Sequence, residues 1–213
     1  MVAPRDHVVF VVDDDRRICE ALSELLASFD LHAVTFRSAA EYLAHPKPDV
    51  PACLVLDVQL PDINGLDLQS QFAQGSLPPI VFITGHGDIP SSVRAIKAGA
   101  VDFLAKPFKE ADLMRAINAA LALSRETRHK GAQLADLRRR LSSLTPRERE
   151  VLPLIASGLL NKQAAVELGI SEVTLQIHRG KIMQKMEAGS FAELVRMAAS
   201  LELPITHSRH SRR

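Results

Sequence analysis

The sequence predicts an α/β domain on a five-stranded parallel, doubly wound sheet, followed by a small all-α domain with a helix-turn-helix. Three observations predict it. Five apolar, β-branched runs alternate with helix-period segments over about 120 residues, the pattern of a parallel sheet covered by helices on both faces. Beyond residue 144 only helix signals occur. The charge divides in the same way. Residues 1–123 hold 10 Lys+Arg against 16 Asp+Glu, net −6, and residues 124–213 hold 16 against 9, net +7. An acidic half joined to a basic half suggests two domains with different partners, the basic one a candidate for nucleic acid.

Composition narrows the class. The 213 residues are 46% hydrophobic and 24% charged, which excludes wholesale disorder. No apolar run approaches the length of a transmembrane helix. Pro4, Arg5 and Asp6 precede a first apolar run too short for a signal-peptide core. Two cysteines, Cys19 and Cys53, cannot make a disulfide framework, and no Cys/His cluster has zinc spacing. A soluble, cytoplasmic chain with no membrane partner is expected.

The elements follow in order. His7–Val12 is a buried strand ending in acid, and residues 15–29 place Ile18, Leu22, Leu25, Leu26 and Phe29 on one helical stripe. Asp15 is expected to cap that helix. Leu31–Thr35 is a second strand and Ala39–Ala44 a short helix. Ala52–Leu56 is a third strand, ending at Asp57. Pro61, Asn64 and Gly65 mark a loop before a helix near 65–74. Pro79–Ile83 is a fourth strand ending at Thr84, and Ile89–Ala98 a helix stopped by Gly99. Asp102–Ala105 is a fifth strand, ending at Lys106-Pro107. Glu110–Leu123 has helical spacing, and 124–143 is a charged connector expected to be a solvated helix. Its Leu134, Leu137, Leu141 and Leu144 cover fewer than two heptads. Thr145-Pro146-Arg147-Glu148 opens a helix to about Ser157 with a capping box and a first-turn proline. Asn161–Leu168, a Ser171-capped helix to about Met186, and a helix opened by Ser190 and Glu193 complete the chain. Two short helices around Leu168-Gly169-Ile170-Ser171 fit a helix-turn-helix.

Doubly wound sheets place ligands at the carboxyl ends of their strands. Here those ends carry Asp13, Asp14, Asp57, Thr84 and Lys106. Three crowded carboxylates need a cation, and oxygen-loving Mg²⁺ accepts a few carboxylates while keeping several waters. A metal-held carboxylate is a competent nucleophile toward a phosphoryl group. Thr84 can give its hydroxyl to one phosphoryl oxygen and Lys106 its ammonium to another. Singly, each residue has an ordinary explanation as a cap, turn or strand exit. All four strand ends together point to phosphoryl chemistry.

Val11-Val12-Asp13-Asp14-Asp15, Leu54-Val55-Leu56-Asp57-Val58, Phe82-Ile83-Thr84-Gly85-His86-Gly87-Asp88 and Phe103-Leu104-Ala105-Lys106-Pro107-Phe108 resemble the receiver domain of two-component response regulators. The match covers about residues 6–122 and implies a flavodoxin-like fold. The resemblance implies that Asp57 accepts a phosphoryl group from a sensor histidine kinase. Asp13, Asp14 and Asp57, with a backbone carbonyl near Gln59, would hold Mg²⁺. Thr84 and Lys106 would read the phosphoryl oxygens, and Phe103 occupies the aromatic switch position. A phosphoaspartyl hydrolase is the enzymatic rival. Such hydrolases usually carry a second acid two residues beyond the nucleophile, where this chain has Gln59. No turnover enzyme is expected.

In the basic half, Leu175, Ile182, Met183 and Met186 fall on one stripe of the Ser171-capped helix, expected to be core. The opposite face carries Ile177, Gly180, Lys181 and Gln184, with Gln176 at its edge. Such a face suits a DNA major groove: Gln pairs with adenine, an apolar side chain meets a thymine methyl, and Lys reaches phosphate or guanine. His178 is expected to pack against the core, and Arg179 to pair with an acid such as Glu148 or Glu150 or to reach the backbone. Leu144-Thr145-Pro146-Arg147-Glu148-Arg149-Glu150-Val151-Leu152, Gly158-Leu159-Leu160-Asn161-Lys162 and Leu168-Gly169-Ile170-Ser171 followed by Val173-Thr174 resemble the LuxR/FixJ-type DNA-binding domain over about residues 140–203. By that resemblance Asn161, Lys162 and Thr174 lie near phosphates. Two departures bear on the target: Gln176 stands where Lys is common, and Gly180 where a longer side chain is usual.

The whole chain thus resembles a FixJ/NarL-class transcriptional response regulator, closer to the FixJ-like branch that includes regulators of aromatic-compound catabolism. The expected organisation is a receiver at 6–122, a helical linker at 123–139, the DNA-binding domain at 140–203 and a basic tail at 204–213. Expected partners are a sensor histidine kinase, double-stranded DNA, RNA polymerase, and a second copy on phosphorylation. Rival outputs are RNA binding and phosphorylation-independent dimer regulation.

Overall fold

A computed structural model describes residues 6–72, 77–85 and 89–204. The chain divides into two compact units, Met1–Arg128 and His129–Arg213. The first contains β1 (Val8–Val12), α1 (Arg16–Ser28), β2 (Ala33–Phe36), α2 (Ala39–Ala44), β3 (Ala52–Asp57), α3 (Gly65–Gln71), β4 (Ile80–Thr84), α4 (Ile89–Lys97) and β5 (Asp102–Ala105). The strands form one parallel sheet in the order β2-β1-β3-β4-β5. This is the expected five-stranded doubly wound fold.

Alternation along the strands splits the core in two. Phe10, Val12, Leu54, Leu56 and Phe82 face α2, α3 and α4, while Val9, Val11, Cys53, Val55, Val81 and Ile83 face α1 and α5 (Glu110–Ser142). Both faces of β1, β3 and β4 are therefore buried, which is why these strands read as unbroken apolar runs. The chain leaves β1 toward β2 and returns to its other side as β3. The order reverses there, so the ends of β1 and β3 form the switch-point crevice.

Three local expectations change. Phe29, predicted on the core stripe of α1, follows the helix as its C-cap and is exposed; Cys19, Leu22 and Leu26 form the buried centre. β2 begins two residues later than expected, after Leu31 and His32. The connector is not a separate helix, because α5 runs unbroken from Glu110 to Ser142. No proline interrupts it, and the Arg128–Asp49 ion pair ties its middle to the segment before β3.

The second unit holds α6 (Pro146–Ala156), α7 (Asn161–Glu167), α8 (Glu172–Lys185) and α9 (Phe191–Ser200). Thr145 closes the predicted capping box with Glu148, and Ser171 and Ser190 accept from the backbone N–H three residues on. Gly158 and Gly169 end α6 and α7 at φ of +85° and +64°, a conformation that favours glycine. Leu144, Val151, Leu152, Ile155, Leu175, Ile182, Met186 and Leu194 close the core.

Candidate functional site

The strand register builds an acidic pocket. Val12 pairs with Leu56 and Asp57 with Ile83, so Asp13 and Asp57 leave adjacent strands side by side. Asp13, Asp57 and Thr84 are buried, and Asp14 is exposed at the rim. Oxygens of Asp13, Asp14 and Asp57 lie within 4.8 Å of one another. Lys106 arrives from the end of β5, its N–H donating to the Thr84 carbonyl at 2.7 Å. Its Nζ donates to Asp13 Oδ2 at 2.5 Å and to Asp57 Oδ2 at 2.6 Å. The remaining oxygens accept backbone N–H groups, Asp13 Oδ1 from Asp15 at 3.0 Å and Asp57 Oδ1 from Gln59 at 2.9 Å.

The electrostatics follow from burial against pairing. Burial raises the Asp13 carboxyl above its ordinary range, more than its hydrogen bonds to Lys106 and the Asp15 N–H lower it. Burial pulls the Lys106 ammonium down, but hydrogen bonds to Asp13 and Asp57 outweigh it and hold it above its usual value. The donor set is all oxygen, three carboxylates with one at the rim, which fits Mg²⁺ and not a thiolate- or imidazole-seeking metal. Phe103, half-buried on β5, packs its ring 6.1 Å from that of Phe82.

Three supporting residues escaped the sequence reading. Gly65, read only as loop punctuation, begins α3 so close to β3 that a Cβ would lie 2.5 Å from the Asp57 carbonyl oxygen. Asp62 accepts the N–H groups of Ala39 at 3.3 Å and Ala40 at 2.9 Å, which pins the loop after Asp57 to the start of α2. Burial raises the Asp62 carboxyl, but these backbone bonds outweigh it and leave it below its usual range. Cys19 packs behind the pocket, its Sγ 3.3 Å from the Asp13 carbonyl. No local pattern distinguishes such positions, because each acts through a neighbour in another element. Asp15 caps α1 as expected, accepting from the Arg17 N–H at 2.8 Å. His86, Gly87 and Asp88 lie outside the described residues, as do residues 205–213 of the basic tail.

In the second unit Leu175, Ile182 and Met186 are buried and Met183 half-buried, as predicted for the core stripe of α8. Gln176, Ile177, Gly180 and Lys181 are exposed, as is Lys162 on α7. Thr174 is half-buried, its Oγ1 2.8 Å from Ser171 Oγ. His178 is half-buried as expected. Arg179 departs from expectation. Lys185 takes Glu148 at 2.7 Å and Arg147 takes Glu150 at 2.6 Å. Arg179 instead donates from Nη1 to Asn161 Oδ1 at 3.1 Å and stacks 4.2 Å from the centre of the Phe191 ring.

Residues 9–118 match the response regulator receiver domain, and residues 142–198 match the bacterial regulatory proteins of the luxR family. The chain is 48% identical over 202 residues to nodulation protein W of Bradyrhizobium diazoefficiens, covering 94% of this chain and 89% of that one. It is 45% identical over 199 residues to the response regulator protein TmoT of Ectopseudomonas mendocina, covering 93% and 90%. It is 41% identical over 196 residues to the transcriptional regulatory protein FixJ of Azorhizobium caulinodans, covering 92% and 93%. Among solved structures it resembles the response regulator StyR at a TM-score of 0.79 and 48% identity, covering 91% of this chain and 98% of that one. Full-length FixJ from B. japonicum follows at 0.52 and 36%, covering 92% and 98%. With an acidic pocket at the switch point of a doubly wound sheet and a LuxR-type helical unit later in the sequence, the chain belongs to the FixJ/NarL class of transcriptional response regulators.

Proposed function

We propose that Asp57 accepts a phosphoryl group from a sensor histidine kinase and that this modification drives dimerisation and sequence-specific DNA binding. The observation that carries the reading is the Lys106 ammonium held between Asp13 and Asp57, with Asp14 beside them. Asp13, Asp14 and Asp57 would hold Mg²⁺, which when bound supplies charge neutralisation for the transferring group. An Asp57 oxygen forms the new O–P bond as the donor's N–P bond breaks. Lys106 turns its ammonium from the carboxylates to a phosphoryl oxygen, and the Thr84 hydroxyl donates to another. That inward pull of Thr84 draws Phe103 with it, remodelling the face made by α4 and β5.

The described residues contain no helix long and apolar enough to cross a membrane. We place the protein in the cytoplasm, where its kinase domain partner, DNA and RNA polymerase would be met. The receiver is assigned to 6–122, the linker to 123–139, the DNA-binding domain to 140–203 and a basic tail to 204–213. Asn161, Lys162 and Thr174 are assigned to the DNA backbone, and Gln176, Ile177 and Lys181 to the major groove. Their exposure on α7 and α8 supports the last three and Lys162. The test is Mg²⁺-dependent labelling by a phosphodonor. The label is expected to vanish in Asp57→Asn, and stoichiometric label retained in that variant refutes the assignment.

A further inference from the structure

We infer that Arg179 is a positioning residue for DNA binding: it holds the Asn161 carboxamide with its oxygen turned inward, so that the NH₂ is left for a phosphate. The inference rests on the reading of Asn161 as a backbone contact. Arg179 lies midway along α8, one turn on from Gln176 and on the side away from Lys181, and is half-buried. Its Nη1 is 3.1 Å from Asn161 Oδ1, and its guanidinium carbon is 4.2 Å from the centroid of Phe191, the first residue of α9. One side chain thus ties the first residue of α7 to the start of α9.

The chemistry allows only one orientation of the amide. A guanidinium has five donors, no acceptor, and does not deprotonate. Facing it, Asn161 must present oxygen, and its two N–H donors remain on the other side. Among the described residues no protein acceptor takes them. A phosphate offers only acceptors, so this orientation attracts it, and the flipped amide would set oxygen against oxygen. An untethered Asn samples both orientations and loses that freedom on binding. Stacking on Phe191 fixes the guanidinium in advance. No carboxylate among the described residues pairs with Arg179, since Lys185 and Arg147 engage Glu148 and Glu150. Its charge therefore also polarises the amide toward donation.

The experiment measures binding of the full chain to a labelled random-sequence duplex of about three helical turns (~30 bp), because a backbone contact needs no particular operator. Asn161→Ala and Arg179→Met are each expected to weaken binding about tenfold. The double variant is expected to bind no worse than Asn161→Ala alone, and Arg179→Lys to recover part of the loss. The salt slope should stay unchanged in Arg179→Met, because an amide contact adds no cation to the count. A slope reduced by about one, with a loss that persists in the Asn161→Ala background, means that Arg179 itself touches phosphate and overturns the inference. Wild-type binding by Asn161→Ala overturns the underlying reading of Asn161, and the inference with it. If Arg179→Met does not fold, the same cycle with Arg179→Lys decides. The Asn161 side-chain amide resonances must then also shift in Arg179→Lys, and unshifted resonances with an additive cycle reject positioning.

Discussion

Gly65 approaches Asp57 so closely that a Cβ on it would stand 2.5 Å from the Asp57 carbonyl oxygen and 3.2 Å from the Cα of Val58. Both contacts are with backbone, which cannot swing aside. The Gly65 N–H also donates to the Val58 carbonyl at 2.9 Å. The start of α3 is thereby seated on the strand end that carries the proposed phosphoryl acceptor. Gly65→Ala must push α3 away from β3, and overpacking of this kind costs about 1–3 kcal/mol. The expected outcome is reduced stability in urea titration together with slower labelling by acetyl phosphate. Wild-type values for both would show that the loop relaxes freely.

Lys106 neutralises two buried carboxylates at once. Lys106→Met leaves them facing each other, and breaking a buried pair costs about 3–5 kcal/mol. Burial already raises the Asp13 carboxyl above its unfolded value of 3.8, and loss of the ammonium raises it further. A carboxyl with a raised folded pKa costs nothing below the unfolded value, and its cost grows as pH climbs through the folded one. The destabilisation should therefore be small near pH 3.5 and largest at neutral pH. Added Mg²⁺ should stabilise Lys106→Met more than the wild type, because binding to the folded state alone shifts the equilibrium. Thermal melts across pH, with Mg²⁺ and with chelator, check both statements.

Glu148 gives the opposite sign. Burial raises its carboxyl, but hydrogen bonds to Lys185 and to the backbone and hydroxyl of Thr145 outweigh that and hold it below the unfolded value of 4.5. Its contribution is complete above 4.5 and is lost as pH falls through the lower folded pKa. Glu148→Gln should destabilise the helical unit at pH 7 by about 1–3 kcal/mol and flatten its loss of stability on acidification. Urea titrations followed by NMR signals from α6 and α8 at pH 7 and pH 3.5 measure it. Equal acid sensitivity in variant and wild type would assign the acid limb elsewhere.

Ile89, Val93 and Ile96 are 79%, 45% and 48% exposed on α4. Their spacing sets them on one side of the helix, next to the β5 strand that carries Phe103. This is the surface expected to meet a second copy after phosphorylation. Val93→Glu should keep the beryllofluoride-treated protein monomeric in sedimentation while Asp57 labelling proceeds as before. A dimer formed as readily as by wild type would move the interface off α4.

Most of the fold was legible because its cause is local. The buried central strands alternate with amphipathic helices, and Thr145, Ser171 and Ser190 carry their caps in the sequence. The residues of the acidic pocket could be grouped from sequence because they follow strand ends, and a doubly wound sheet gathers strand ends. What was missed depends on tertiary neighbours. Phe29 satisfies the helical stripe arithmetic, yet α1 ends one residue before it. Arg179 could be placed beside acidic residues by composition, but Lys185 and Arg147 reach those acids first. Gly65 and Asp62 matter only because the ends of β3 and α2 come to them.

The exposed face of α8 divides its labour by chemistry. Ile177 and Lys181 stand opposite the buried Leu175, Ile182 and Met186, and Gln176 is exposed at the edge of that face, so all three can enter a groove without disturbing the core. One helix makes few base contacts, so affinity should come from two copies on an inverted or quasi-inverted site, with their linkage setting the half-site spacing. On DNA fragments selected by the phosphorylated protein, Gln176→Ala should relax preference at one base position, costing about 1–3 kcal/mol on the preferred site. Lys181→Ala should weaken all duplexes alike and lower the salt slope by about one if its ammonium meets phosphate. If it reads guanine instead, the loss is confined to the selected site. Ile177, 54% exposed on α8, should discriminate thymine from uracil at its position, because only the methyl group distinguishes them. Ile177→Ala should erase that discrimination. A folded triple alanine variant that kept full affinity and full sequence preference would show that α8 is not the reading helix.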